Sequence, residues 1–235
     1  MKQPPIDTVI LYSGGLDSTT LLLKAIYEDN RNVCCITFNY GSKHNERENH
    51  AAFDICHLME VPICKVELPF FSNLLISDLL KTGGDIPEGH YAADNMKSTV
   101  VPFRNGILLS IAAGYAESMG AAEIAIAAHA GDHTIYPDCR TSFLNSMSEA
   151  IFCGTAKQIN IYRPFHNMTK AEIAKLGVEL DMLNTTPVIP MTWSCYKGGH
   201  KHCGKCGTCI ERIEAFKLNG LIDGADYNDG VVNWE

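Results

Sequence analysis

The residues best suited to chemistry fall into two groups, one near each end of the chain of 235 residues. The first is Tyr12-Ser13-Gly14-Gly15-Leu16-Asp17-Ser18-Thr19-Thr20. Its two glycines permit backbone conformations closed to other residues and let a ligand approach the chain. Where a strand hands over to a helix, such a turn offers amides and a positive dipole end to an anion. Ser13, Ser18 and Thr19 add hydroxyl donors. Asp17 would repel a phosphate, so it reads as the handle of a bridging Mg²⁺, an ion that takes one or two carboxylates plus phosphate oxygens. No Gly-Lys-Ser/Thr follows, which excludes a Walker P-loop. The plain alternative is a Gly-Gly turn in which Asp or Ser caps a helix.

The second group is Cys195, Cys203, Cys206 and Cys209, spaced C-x7-C-x2-C-x2-C with glycines after Cys203 and Cys206. Each Cys-x-x-Cys turn lets two thiolates face one point, and four thiolates make a closed tetrahedral site for structural Zn²⁺. Lys197, Lys201 and Lys205 would offset its charge. An iron–sulfur cluster also uses C-x2-C-x2-C, His200 or His202 could replace Cys195, and free thiols are the plain alternative. The other cysteines, Cys34, Cys35, Cys56, Cys64, Cys139 and Cys153, are scattered and read as small core hydrophobes.

Between the two groups lie further polar segments. Phe38-Asn39-Tyr40-Gly41 ends a strand, where α/β sheets form their ligand crevice, and Tyr40 could stack on a ring. Arg104 could pair with a phosphate or carboxylate, while its neighbour Asn105 is also a plain helix cap. The segment 128–140 is dense with donors and acceptors. Asp132 and Asp138 suit ring amino groups, Tyr136 suits stacking, and Arg140 closes the run. Lys170, at a helix start, could reach a phosphate or simply be solvated.

The elements that must position these residues alternate. Apolar runs predict strands over 8–12, 33–38, 63–67, 123–128 and 159–162. Helical patterns start at Ser18 and cover 46–59, 71–80, 105–119, 141–152, 169–176 and about 208–218. Thr169 and Glu172 have capping-box spacing. The polar, Gly-rich loop 81–98 is long enough to be functional, for instance as a lid. This alternation means an open, doubly wound parallel α/β sheet covered on both faces. The composition changes after Pro187, so the expected boundary divides 1–187 from a small cysteine-bearing subdomain, 188–235. The tail 223–235 is polar.

Composition narrows the class. Hydrophobic residues make up 46% and charged ones 20%, ordinary for a globular protein. The net charge of −8 argues against a surface built to grip nucleic acid. Residues 1–5 have no apolar stretch behind them, and no apolar run reaches a membrane span. A cytoplasmic, reducing setting is expected, in which the clustered members of the ten cysteines are metal ligands rather than disulfides. A homodimer is also expected.

The turn at 13–18 resembles the PP-loop signature of N-type ATP pyrophosphatases, Ser-Gly-Gly-x-Asp-Ser. Six segments in order, 13–20, 37–41, 101–105, 136–140, 192–196 and 203–209, are similar to the 7-cyano-7-deazaguanine synthase family. Phe103 stands where that pattern more usually has glycine, and Ala128-His129-Ala130-Gly131-Asp132-His133 replaces a Gly-rich stretch. The resemblance implies an adenine nucleotide alpha hydrolase-like, Rossmann-like fold. It implies a ligase that activates the carboxylate of 7-carboxy-7-deazaguanine with ATP, adds ammonia to give an amide, and dehydrates the amide to a nitrile in queuosine biosynthesis. It puts the nucleotide on Tyr12 to Leu22, including Leu21 and Leu22, and the charge-stabilising work on Asp17, Arg104 and Lys170. The deazaguanine pocket would draw on Tyr40, Arg104, Asn105, Asp132, Tyr136, Asp138 and Arg140. ATP and Mg²⁺ act at the turn and one structural Zn²⁺ in the knuckle. Free ammonia is the expected nitrogen source, since no glutaminase segment is visible. The rival readings are a tRNA-modifying PP-loop enzyme, a sister enzyme that attaches a deazaguanine to a protein partner, and a non-catalytic nucleotide-binding module.

Overall fold

A computed structural model describes residues 5–90 and 93–228. Expectations resting on residues 1–4, on 91–92 of the long loop, or on 229–235 of the tail lie outside the described residues. The strands are β1 (Thr8–Leu11), β2 (Val33–Asn39), β3 (Ile63–Glu67), β4 (Glu123–Ala125) and β5 (Asn160–Tyr162). Among the described residues they form one parallel sheet of five strands, ordered β3-β2-β1-β4-β5. The helices are α1 (Leu16–Tyr27), α2 (Asn45–Leu58), α3 (Phe71–Leu74), α4 (Arg104–Met119), α5 (Thr141–Gly154), α6 (Lys170–Asp181) and α7 (Gly207–Leu218).

The two-residue period of the strands divides the core into two layers. Val9, Ile36 and Ile124 face a cluster that includes Leu109 and Ala112 of α4 and Leu144 of α5. Their neighbours Ile10, Cys35 and Ala125 face the opposite cluster, with Leu22 of α1, Ile173 of α6 and Phe216 of α7. β1 and β2 are apolar at nearly every position because both of their faces are covered. Each leucine or isoleucine fully buried this way contributes roughly 1.5–3 kcal/mol. No described helix is long and apolar enough to cross a membrane.

Three expected elements differ from the sequence pattern. The helix expected over 71–80 stops at Leu74, where Leu75 turns extended (φ −112°, ψ 146°). Beyond it Leu79 and Leu80 are fully buried, Lys43 N–H donates to Leu79 C=O, and Ser42 bridges Leu80. Pairing with the 41–43 segment outcompetes helix propagation there. The strand expected over 123–128 ends at Ala125, and 126–129 leave the sheet to form a cavity wall. The helix expected over 169–176 instead runs to Asp181 from the predicted Thr169–Glu172 capping box. The loop 81–98 carries part of a 3-10 turn, Asp94–Thr99.

The C-terminal segment is tied down by a buried charge. Arg212 is 0% exposed. Its Nε and Nη2 each lie 2.8 Å from an Asp223 carboxylate oxygen, and Nη1 donates to Thr192 Oγ1 at 2.7 Å. Arg212 thereby clamps the 192–194 strand of chain onto α7.

Candidate active site

In the strand order 3-2-1-4-5 the chain leaves β1 in one direction and β4 in the other, so a crevice opens beyond their C-terminal ends. The main cavity lies there, lined by Leu11 to Ser18 after β1 and by Ile126 to His129 after β4, with Gly14 set behind the wall.

The phosphate turn is built as its residue types require. Gly14 has φ +74°, and a Cβ there would lie 2.6 Å from Ala52 N and 2.7 Å from Glu48 O of α2. Ser13 Oγ lies 3.1 Å from Ser18 Oγ and accepts from Gly15 N–H at 3.2 Å. Tyr12 OH meets Thr19 Oγ1 at 3.0 Å beneath the turn. Tyr12, Ser13, Gly15, Leu16, Asp17 and Ser18 line the cavity. Leu21 and Leu22, each 0% exposed, belong to the core instead. Thr19 and Thr20 are also fully buried, Thr20 Oγ1 donating to Leu16 C=O at 3.0 Å. The expected contact span of 12–22 thus shortens, because one helical turn past the glycines the side chains already point into the sheet.

Asp17 is the hub of the phosphate end. Its Oδ2 is 2.6 Å from Lys170 Nζ and 3.8 Å from His129 Nε2, while Oδ1 is buried with no partner. Burial pushes its carboxyl up, but the facing Lys170 ammonium and His129 together hold it below the ordinary aspartate range. Lys170, the first residue of α6, also faces Glu211 at 3.7 Å, and despite burial these carboxylates raise its affinity for its proton. His129 is 1% exposed. Its Nδ1 accepts from Gly131 N–H at 3.1 Å, so the ring proton sits on Nε2, toward Asp17 and Asp132. Burial raises Glu211 above the usual carboxylate range, with Lys170 opposing.

The other end of the cavity is aromatic. Arg104 Nη1 donates to Tyr40 OH at 3.4 Å. Tyr136 OH and Tyr196 OH are 3.1 Å apart. His44, 2% exposed, lies against the Tyr196 ring at 5.1 Å, and its Nε2 is 3.5 Å from Glu48 Oε2. Burial and the nearby Arg104 hold His44 down at about 3, so it is neutral, and burial pushes Glu48 up to about 8.

Of the expected pocket residues, Tyr40, Arg104, Asn105, Asp132 and Tyr136 line this cavity. Asp138 and Arg140 do not line it. Asp138 is buried and accepts Asn105 N–H at 2.8 Å, so it caps α4, the job expected of Asn105 itself. Arg140 is exposed at the start of α5. Phe103, left-handed at φ 54°, is the N-cap position of α4. That conformation explains why glycine is the more usual residue. Its ring stands over Gly106, where a Cβ would lie 2.4 Å from Phe103 Cε1, and edge-on to Phe143 at 5.5 Å. Phe103 is 57% exposed and outside the lining, whereas His129 and Asp132, the other departure from the family pattern, are in it.

Sequence reading missed His44, Glu48, Trp193, Ser194, Thr208 and Glu211, all in the lining. Two signals were available. His44 and Glu48 share a helix face four residues apart, and Ser194, Thr208 and Glu211 sit within two residues of a cysteine of the knuckle. The knuckle therefore brings part of the cavity wall with it. Trp193 N–H donates to Gly14 C=O at 2.9 Å, and Thr208 Oγ1 donates to Ser194 C=O at 2.7 Å.

The four cysteine sulfurs, all buried, lie within 4.8 Å of one another. Backbone N–H groups of Cys203, Lys205 and Cys206 point at cysteine sulfurs at 3.3–3.4 Å, as thiolate acceptors favour. His202 is no substitute ligand. Its Nε2 accepts Ser194 N–H at 3.0 Å and its Nδ1 lies 3.3 Å from Asp226 C=O. His200 is exposed beside Arg47. The donor set fits a closed four-thiolate metal site.

Fold and site together define an α/β protein of the PP-loop kind, with a phosphate turn at the sheet's switch point and a cysteine knuckle closing the same cavity. The family model described as "Queuosine biosynthesis protein QueC" matches residues 7–220, and the chain belongs to that family. Among curated proteins it is 49% identical over 222 residues to the 7-cyano-7-deazaguanine synthase of Porphyromonas gingivalis, covering 94% of this chain and 97% of the relative. It is 48% identical to that of Desulfotalea psychrophila (94% and 99% covered). It is 44% identical to that of Caldicellulosiruptor bescii (96% and 99% covered).

Proposed function

We propose that the chain is a carbon–nitrogen ligase that converts 7-carboxy-7-deazaguanine and ammonia to 7-cyano-7-deazaguanine with ATP, in queuosine biosynthesis. Family membership supports the reaction. The observation that carries the site is one cavity with a phosphate turn at one end and Arg104 among tyrosines at the other, so a nucleotide and a carboxylate-bearing purine can meet inside it. A carboxylate is a poor electrophile, and transfer of AMP to its oxygen supplies a leaving group. The protein's part is positioning and charge stabilisation.

Ser13, Gly15 and Ser18 hold the β- and γ-phosphates. Asp17, with its buried and unpartnered Oδ1, would hold Mg²⁺, which neutralises developing phosphate charge when bound. Lys170 stands ready for the same charge. Arg104 receives the substrate carboxylate, with Tyr40 and Tyr136 flanking the ring and Asn105 and Asp132 offering polar contacts. Asp138 supports this wall by capping α4. Cys195, Cys203, Cys206 and Cys209 would hold one Zn²⁺, which is structural because four thiolates leave no open position. The boundary near residue 187, a cytoplasmic location and a homodimer belong to the same proposal. A small-molecule substrate fits the acidic chain better than a tRNA-modifying role does.

The test is incubation with ATP, Mg²⁺, ammonia and 7-carboxy-7-deazaguanine. Mass spectrometry should find the amide and the nitrile, with AMP and pyrophosphate formed in step. ADP as the nucleotide product, or ATP consumption independent of the acid, would overturn the reading.

A further inference from the structure

Three of the acidic residues in the cavity wall, Asp17, Asp132 and Glu211, gather around Lys170. Glu48 stands apart from them. It faces Arg104 and His44 on the aromatic side, the end to which the synthase reading brings the substrate carboxylate. Its backbone is locked to the phosphate turn, since Glu48 C=O lies 2.7 Å from where a Gly14 Cβ would be. Glu48 is therefore anchored against the 13–18 turn by its backbone while its side chain lines the cavity.

We propose that Glu48 is the base that takes the proton from ammonia as nitrogen adds to the activated carboxyl carbon. The inference rests on the synthase reading above. In the step, the nitrogen lone pair forms the C–N bond and the carbonyl π pair moves to oxygen. As that pair returns, the C–O bond to AMP breaks and its electrons leave with AMP. The extra proton on nitrogen passes to the Glu48 carboxylate, leaving a neutral amide.

The neighbours are poorly suited to the task. Lys170 is held in its charged form between Asp17 and Glu211. Asp17 is held low by Lys170 and His129, which makes it a weak base. His44, buried beside Arg104, is weaker still at about 3. The hydroxyls of Tyr40 and Tyr196 are pushed up by burial and keep their protons. Glu48, raised by burial and only partly offset by Arg104, is basic enough to receive an ammonium proton near neutral pH. His44 Nε2, 3.5 Å from Glu48 Oε2, is placed to steady the carboxyl group.

The test separates activation from amination in purified Glu48→Gln and Glu48→Asp enzymes. Exchange of pyrophosphate into ATP, dependent on the deazaguanine acid, reports activation and folding together. Hydroxylamine, largely unprotonated at neutral pH, traps the activated acid without help from a base. In Glu48→Gln, exchange and hydroxamate formation should stay within about threefold of wild type, while amide formation from ammonia falls by about a hundredfold or more. Glu48→Asp should recover part of the loss. Wild-type amide formation in Glu48→Gln, or equal loss of all three readouts, overturns the proposal. A wild-type enzyme with no acid-dependent exchange overturns the synthase reading, and this inference with it.

Discussion

The two ends of the cavity are built on opposite principles. At the phosphate end oppositely charged groups are paired, Asp17 with Lys170 and Lys170 with Glu211, and His129 Nε2 lies near Asp17 and Asp132. At the aromatic end burial dominates. His44 is kept neutral, Glu48 is pushed up toward its acid form, and Arg104 donates to the Tyr40 hydroxyl while only partly offsetting the burial of Glu48. A paired cluster suits a site that receives highly charged phosphates and must keep its own charge balanced. A desolvated end suits proton transfer, because groups that lose hydration titrate nearer neutral pH. On the proposed reading, charge handling belongs to one end and proton handling to the other.

The sharpest way to break this division is Asp17→Ala. Turnover should fall about a thousandfold, as when a preorganised charge contact is removed. Metal bound at the cysteines should stay near wild type and the chain should remain folded, with melting lowered at neutral pH only by the lost pair with Lys170. Near-normal activity would remove Asp17 from the phosphate end. Next in size is Gly14→Ala. It forces a side chain into φ +74° against backbone atoms of α2, so about 1–2 kcal/mol of strain adds to displacement of that helix. Thermal melting should show the loss, and an unchanged midpoint would mean that α2 is free to move away from the turn.

The pH dependence of stability distinguishes the two ends by sign. Glu48 is raised in the folded state from 4.5 to about 8, so its stabilising contribution is complete below about 4.5 and lost as pH rises through 8. Asp17 is lowered from 3.8, so its contribution is present above that value and lost as pH falls. Glu48→Gln should therefore melt higher relative to wild type at pH 9 than at pH 5, and Asp17→Asn should show its deficit at neutral pH and lose it in acid. Parallel melting curves for Glu48→Gln and wild type across that range would show that Glu48 is not desolvated. The smallest expected effect belongs to Phe103→Gly. Relief of a left-handed side chain, about 1–2 kcal/mol, opposes loss of an aromatic pair worth about 0.5–1.5 kcal/mol. Stability and activity should barely change, and a tenfold loss of activity would place Phe103 at the substrate after all.

The phosphate end was the more legible of the two in sequence. Its turn is one contiguous segment whose residue types each answer a local need, and the knuckle's thiols announce themselves by spacing. Within the span 12–22, Thr19, Thr20, Leu21 and Leu22 turn away from the cavity into the packed interior, a matter of helix phase against the sheet. The aromatic end draws on α2, the start of α4, the 136 segment and the residue after Cys195. The four-residue spacing of His44 and Glu48 puts them on one helix face but does not say which way that face points, since a glutamate and a histidine on a polar helix are ordinary surface residues. Asp138 lies outside the lining and caps α4, and in sequence a carboxylate that caps a helix 33 residues away looks the same as one that reads a base.

By itself the sequence determined the parallel α/β architecture, the Gly-Gly turn between β1 and α1 and the four-cysteine cluster. Each of these follows from periodicity or spacing within a short stretch, where local geometry decides. Only the tertiary structure decided that the knuckle delivers Ser194, Thr208 and Glu211 to the cavity, that Lys170 faces Asp17 across 153 positions, and that Glu48 is desolvated beside Arg104. Burial and long-range charge pairing are properties of the packed molecule, and they, not residue identity, set what a carboxylate can do.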